Sequence, residues 1–116
     1  SWLPQPPAWA ALSVARQTKD PASTLELYRS ALAARRAHAA LGAGDAVRWL
    51  EAPDGVLAFR REGADGSAVV CAVNTNPTPV PVHGLLPEPG RPLLTSAPLP
   101  DPVVLPGDCA VWWESL

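Results

Sequence analysis

Carboxylates are the most numerous chemically versatile side chains in this 116-residue chain: eleven of them stand beside two histidines, two cysteines and five tryptophans. Two carboxylates facing each other across a glycosidic bond can cleave it, one as acid and one as nucleophile or base. Their positions here do not favour that chemistry. Asp20, Glu26, Asp54, Asp65, Glu88, Asp101 and Asp108 fall in turns or on a helix surface. None is read as ending a hydrophobic strand, where a buried acid with a shifted pKa is expected. His38 lies late in a helical stretch, where an imidazolium suits the helix dipole, and His83 lies in a proline-rich connection; both read as solvated. Cys71 and Cys109 sit in strand-like runs and can pair if those strands are neighbours, or stay as buried thiols.

Motifs of other chemistries are missing. There is no C-x-x-C or Cys/His cluster, and no glycine-rich phosphate loop, G-x-S-x-G or H-E-x-x-H. No metal and no cofactor is expected. The tryptophans offer a different possibility, a stacking platform for a sugar ring. Trp2 is the candidate, with Trp9 near it; the plainer alternative is that both pin a loop to a core. Trp112 and Trp113 point to opposite faces of one strand, so at most one lies in the core of a simple two-layer sandwich. Arg35-Arg36 and Arg60-Arg61 read as a solvated face or as salt bridges at a domain contact. By residue chemistry alone the chain is a non-catalytic module.

A net charge of -2 and a pI near 5.5 disfavour nucleic acid and anionic membrane as partners. The composition, 47% hydrophobic and 17% charged, is that of a folding chain. No apolar run approaches the ~20 residues that span a bilayer, and no signal peptide is visible. A cytoplasmic location is expected.

Asp20 to Gly42 carries the longest helical pattern. Asp20-Pro21 offers one start, and the S-x-x-E box of Ser23 and Glu26 a second. Leu25, Tyr28, Leu32 and Ala39 follow helical spacing, widened by Leu27, Ala31, Ala34 and Leu41, while Glu26, Arg29, Ser30, Arg36 and Ala40 take the opposite side. Gly42 reads as a left-handed C-cap. The spacing predicts a helix over about 20–41, ~30 Å long, whose stripe is broad enough to need a large partner. Before it, Pro4, Pro6 and Pro7 argue for an extended or turning path. After Gly44 the period changes to two. Strands are expected at Ala46–Leu50, Gly55–Arg61, Ala68–Val73 and Cys109–Glu114, with weaker ones at Val80–His83, Leu93–Ser96 and Val103–Leu105. Ala68–Val73 is continuously apolar, as a central strand covered on both faces would be. Asp54-Gly55 and the EGADG run of Glu62–Gly66 supply turns.

The order of features resembles a known family. Trp2-Leu3-Pro4-Gln5-Pro6 precedes Ser13-Val14-Ala15 and Gln17, then Asp20-Pro21, Ser23, Leu25, Leu27-Tyr28-Arg29, Leu32 and Arg35-Arg36. This is similar to the end of the catalytic barrel in α-glucosidases of the α-amylase family, glycoside hydrolase family 13, of the oligo-1,6-glucosidase type. Ala58-Phe59-Arg60-Arg61, Val73-Asn74 and Ala110-Val111-Trp112 match elements of the domain that follows it.

The resemblance implies an α+β fragment. Residues 1–43 would be the end of a (β/α)8 barrel, an irregular loop plus its final helix at about 20–41. Residues 44–116 would be an antiparallel Greek-key β-sandwich, the C-terminal domain. The parent would be a retaining enzyme removing terminal α-linked glucose from oligosaccharides, with an Asp nucleophile, a Glu acid/base and a stabilising Asp. All three would lie upstream of Ser1, so no catalytic residue is assigned here. The partner of this piece would be the barrel of its own polypeptide. The absence of Met and the one-sided helix near the start also suggest a piece of a longer chain. The alternative is a carbohydrate-binding or protein-docking sandwich module.

Overall fold

The computed structural model describes residues 2–43, 46–83, 85 and 90–115. The expected boundary at residues 43 and 44 touches the segment outside this set, and Glu88 lies outside it. Among the described residues the chain is an α+β protein with two helical segments, two 3-10 turns and seven strands. Its strands are β1 (Val47–Trp49), β2 (Val56–Glu62), β3 (Ala68–Asn74), β4 (Val80–Pro81), β5 (Arg91–Thr95), β6 (Val104–Leu105) and β7 (Cys109–Ser115). Five form one sheet in the order β1-β2-β3-β7-β5, and β4 pairs with β6 in a second; every pairing is antiparallel.

The central position of β3 follows from its composition. Six apolar residues in a row leave no side that could face water, and β2 and β7 take both its edges. Side chains alternate across a strand, so β3 feeds two cores. Val70 and Ala72 point to the larger one, with Ala58, Val82, Leu85, Leu105, Cys109, Val111 and Trp113, between the two sheets. Val69 and Cys71 point the other way, where Ala40 and Leu41 cover them and Phe59, Leu93 and Trp112 complete the cluster. Both adjacent tryptophans of β7 are therefore packed, which a two-layer sandwich with one core does not allow. The same alternation settles the cysteines. Cys109 lies opposite Asn74 in register and belongs to the larger core, whereas Cys71 belongs to the other face. Both are free thiols, separated by the sheet itself.

One buried amide joins the two sheets. Asn74, 1% exposed, ends β3 and donates through Nδ2 to the carbonyls of Thr78 at 2.9 Å, Pro106 at 3.1 Å and Leu105 at 3.4 Å. Its Oδ1 accepts from the Asn76 backbone N–H at 3.0 Å. The turn predicted at Asp54-Gly55 forms, with Val56 N–H on Pro53 O at 3.0 Å and Gly55 at φ 76°, the left-handed value that a type II turn needs at this position.

The helical part departs further from expectation. Pro7–Leu12 is a 3-10 turn with proline in its first turn, where its missing N–H costs nothing, and Val14–Gln17 (α1) is a single helical turn. The main helix, α2, spans Thr24–Ala37, about 21 Å rather than 30 Å. Of the two candidate starts Ser23 is the cap: its Oγ accepts from Glu26 N–H at 3.3 Å. The Glu26 carboxylate reaches Lys19 N–H instead of the Ser23 backbone, so the box is only half formed. The helix stops early because His38 turns extended, at φ -112° and ψ 118°. The chain then drops as the 3-10 turn Ala39–Leu41 onto the sheet, burying Ala40, expected on the polar side. Gly42, at φ -73°, is not a left-handed cap. No helix among the described residues is long and apolar enough to cross a membrane.

Two outcomes follow. Asn74→Ala removes the only side chain among these contacts that serves three carbonyls, and a urea titration is expected to show a loss of about 2 kcal/mol. Burial pushes the Cys71 thiol up to about 11, so iodoacetamide at mildly alkaline pH should leave Cys71 unmodified in the native protein and alkylate it once denaturant is added.

Candidate functional site

The surface that stands out is built on the segment before β1. Gln17 organises it. Its Nε2 donates to Leu12 O at 2.6 Å, its Oε1 accepts from Leu25 N–H at 3.0 Å, and its carbonyl accepts from Ser23 Oγ at 2.9 Å. One side chain thus ties the first 3-10 turn, α1 and the start of α2 into a unit. Ser23, itself buried, also donates to Asp20 O at 2.7 Å. Lys19 takes a left-handed φ of 66° to make the turn, which a non-glycine residue adopts only when its surroundings hold it there.

This unit packs weakly. No residue of the first 3-10 turn, α1 or α2 is fully buried. Leu27, Ala31 and Ala34 rest half-buried toward the sheet, while Tyr28 is 65% and Leu32 47% exposed. Leu3, Trp9, Leu12 and Val14 are exposed as well. The radius of gyration, 16.5 Å, exceeds the roughly 13 Å of a compact domain of this length, as a projecting arm requires.

Trp2, the predicted stacking residue, is 92% exposed, and Trp9 is exposed beside it in sequence; neither is pinned to a core. Neither lines the clefts at the base of α2. These clefts, of about 520 and 270 Å³, share Pro21, Leu27 and Thr95 between the helix start and the end of β5. Trp113 is fully buried and Trp112 half-buried, which removes both as open platforms. Trp49, read only as a strand residue, is 64% exposed on β1 and meets Phe59 edge-on at 5.4 Å between ring centroids.

The carboxylates mostly serve the backbone. Asp20 accepts from Ala22 N–H, Asp65 from Ser67 N–H and Oγ, and Asp101 from Val103 N–H. Asp108 sits in the turn before β7 at φ 49°. Glu26 is held low by the Lys19 N–H and by Arg29 at 2.7 Å. Among the described residues no three His, Cys, Asp or Glu side chains gather as metal ligands would. His83 is exposed, as expected.

Glu114 and His38 correct the reading. Glu114 does lie near the end of a hydrophobic strand, and it forms a clasp. Its Oε2 accepts from Arg91 Nε at 2.8 Å and Nη2 at 2.5 Å, and its Oε1 lies 3.2 Å from His38 Nε2. His38 is largely buried rather than solvated, because it is the residue where the chain leaves α2 for the sheet. The contact joins positions 76 apart in sequence, and no local pattern could have signalled it. It fastens the end of α2 to β7 and β5.

No family model matches the chain, and no curated protein matches it.

The Arg91 guanidinium holds the Glu114 carboxyl below its ordinary value of 4.5, with His38 adding to the effect and partial burial opposing it. A depressed folded-state pKa gives stability that is present above 4.5 and is lost as the pH falls through the lower folded value. Glu114→Gln should therefore lower the urea midpoint above pH 4.5, and the gap to the wild type should close on acidification below it.

Proposed function

We propose that the chain is the C-terminal part of a retaining α-glucosidase of the α-amylase family. In this reading α2 is the last helix of the catalytic barrel, and β1 to β7 form the Greek-key sandwich that caps it. The role of these residues is structural. Their partner is the barrel of the same polypeptide, and the substrate, an oligosaccharide with terminal α-linked glucose, belongs to the parent enzyme.

The observation that carries the reading is the half-covered helix. A fourteen-residue helix with no fully buried residue and with Tyr28 and Leu32 exposed lacks a partner on one flank. Helices of this kind owe most of their stability to packing of an apolar face. The motif residues support it from another side. Gln17, Asp20 and Ser23, which carry much of the resemblance, are the residues that lock the approach segment to α2. They have a structural use that does not require a catalytic site nearby. The carboxylates assigned to turns, caps and the clasp are in keeping with a module whose chemistry lies elsewhere in the polypeptide.

A sugar-binding module is the second reading, and the exposure of Trp2 is what favours it. The two are separated by one set of measurements on the purified 116-residue chain and on the longest reading frame that contains it. The longer product is expected to release glucose from maltose or isomaltose and the short chain to release none. Turnover by the short chain overturns the assignment of the chemistry to upstream residues. A reading frame without strand-end Asp, Glu and Asp residues overturns the family. A saturable change in tryptophan fluorescence of the short chain on titration with maltose or isomaltose moves the sugar-binding module to the front.

A further inference from the structure

The turn that covers β3 and the helix before it are held to the sheet in different ways. Among the described residues, no hydrogen bond or ion pair runs from the stretch Pro6 to Ala37 to any strand. The polar contacts of that stretch are spent inside it, above all through Gln17, Ser23 and Glu26. What α2 turns toward the sheet is apolar and half-buried, Leu27, Ala31 and Ala34. Even there the fit is open. A gap of about 180 Å³ lies between Leu27, Tyr28 and Ala31 on the helix and Leu94, Ala110 and Trp112 on the sheet.

From His38 onward the attachment changes. His38 meets Glu114 at 3.2 Å. Ala40 and Leu41 are buried on Val69 and Cys71. The Gly42 carbonyl accepts from Arg61 Nη2 at 3.0 Å. The Ala40 backbone nitrogen lies so near Gly63 that a Cβ at position 63 would stand 2.8 Å from it. This short turn is built into the sheet by burial, by a hydrogen bond and by a close backbone approach, none of which needs α2 in place. His38 itself is extended, at φ -112° and ψ 118°, in a region of backbone space that is broadly allowed. Hinges form at such element-terminal positions.

From this we infer that His38 is a hinge dividing the chain into two cooperative units. The arm that ends at Ala37 leaves the sheet by a local opening, while Ala39–Leu41 stays behind as the cover of β3. The arm is a strap closed over Leu94, Ala110 and Trp112, and releasing it uncovers those residues without uncovering Val69 or Cys71. The division is independent of the parent enzyme's identity. A fourteen-residue helix is marginal in water without packing, so α2 loses its own hydrogen bonds when it leaves, and the opening is visible at its amides.

Hydrogen exchange of the full 116-residue chain, read by mass spectrometry, is combined with iodoacetamide labelling of Cys71 over the same series of urea concentrations below the global midpoint. The amides of residues 24–37 are expected to exchange at least about tenfold faster than those of β3, with a shallower dependence on urea. Cys71 is expected to stay unmodified throughout that range. One shared rate and one shared urea dependence for α2 and β3 would make the chain a single cooperative unit and overturn the inference. Alkylation of Cys71 in step with the exchange of α2 would also overturn it, because the cover would then leave with the helix and the hinge would not lie at His38.

Discussion

Everything in this fold depends on β3 having no side that can face water. A strand of alternating apolar and polar residues would have been satisfied by one core and one solvated surface. The run from Ala68 to Val73 is not, and so the chain must supply two covers. The first is the β4–β6 pair, tied across by Asn74 and filled by Trp113 and Leu105. The second is drawn from the segment after α2, which breaks its helix at His38 to lower Ala40 and Leu41 onto Val69 and Cys71. The helix is held over the sheet as a consequence of that second cover, and its end is made fast by the Glu114 clasp. The apolar flank it leaves open is thus a by-product of covering β3 with a short turn rather than with the helix itself.

The parts that could be read beforehand are those governed by neighbours in sequence. Period-two patterning located the strands, and Asp54-Gly55 located a turn, because both rest on local geometry. The end of α2 could not be read. Ala39-Ala40-Leu41 is a good helical sequence by propensity, and it leaves the helix only because burial against the sheet outweighs the few tenths of a kcal/mol per residue that propensity is worth. The same competition carries Ala40, whose helical spacing predicts the polar side, into the core. Pro4, Pro6 and Pro7 were a sound sign against an α-helix, yet Pro7 is well suited to begin a 3-10 turn.

The candidate surface was half legible. The broad stripe of Leu25, Tyr28 and Leu32 announced a helix that wants more cover than a small domain provides. Which half would be covered, and that Trp49 and Leu57 would extend the exposed area, depended on the order β1-β2-β3-β7-β5, which nothing local encodes. The clasp of Arg91, His38 and Glu114 was invisible for the same reason.

That strand order has a consequence for how the molecule is made. β7 holds residues 109–115 and sits inside the sheet, between β3 and β5. During synthesis β1, β2 and β3 can pair as each emerges, since their connections are short. β5 then emerges with no neighbour to pair with, and β3 keeps one edge open, until β7 is released. For that interval the nascent chain carries unmatched strand edges on β3 and β5. The sheet closes only when its closing strand is free.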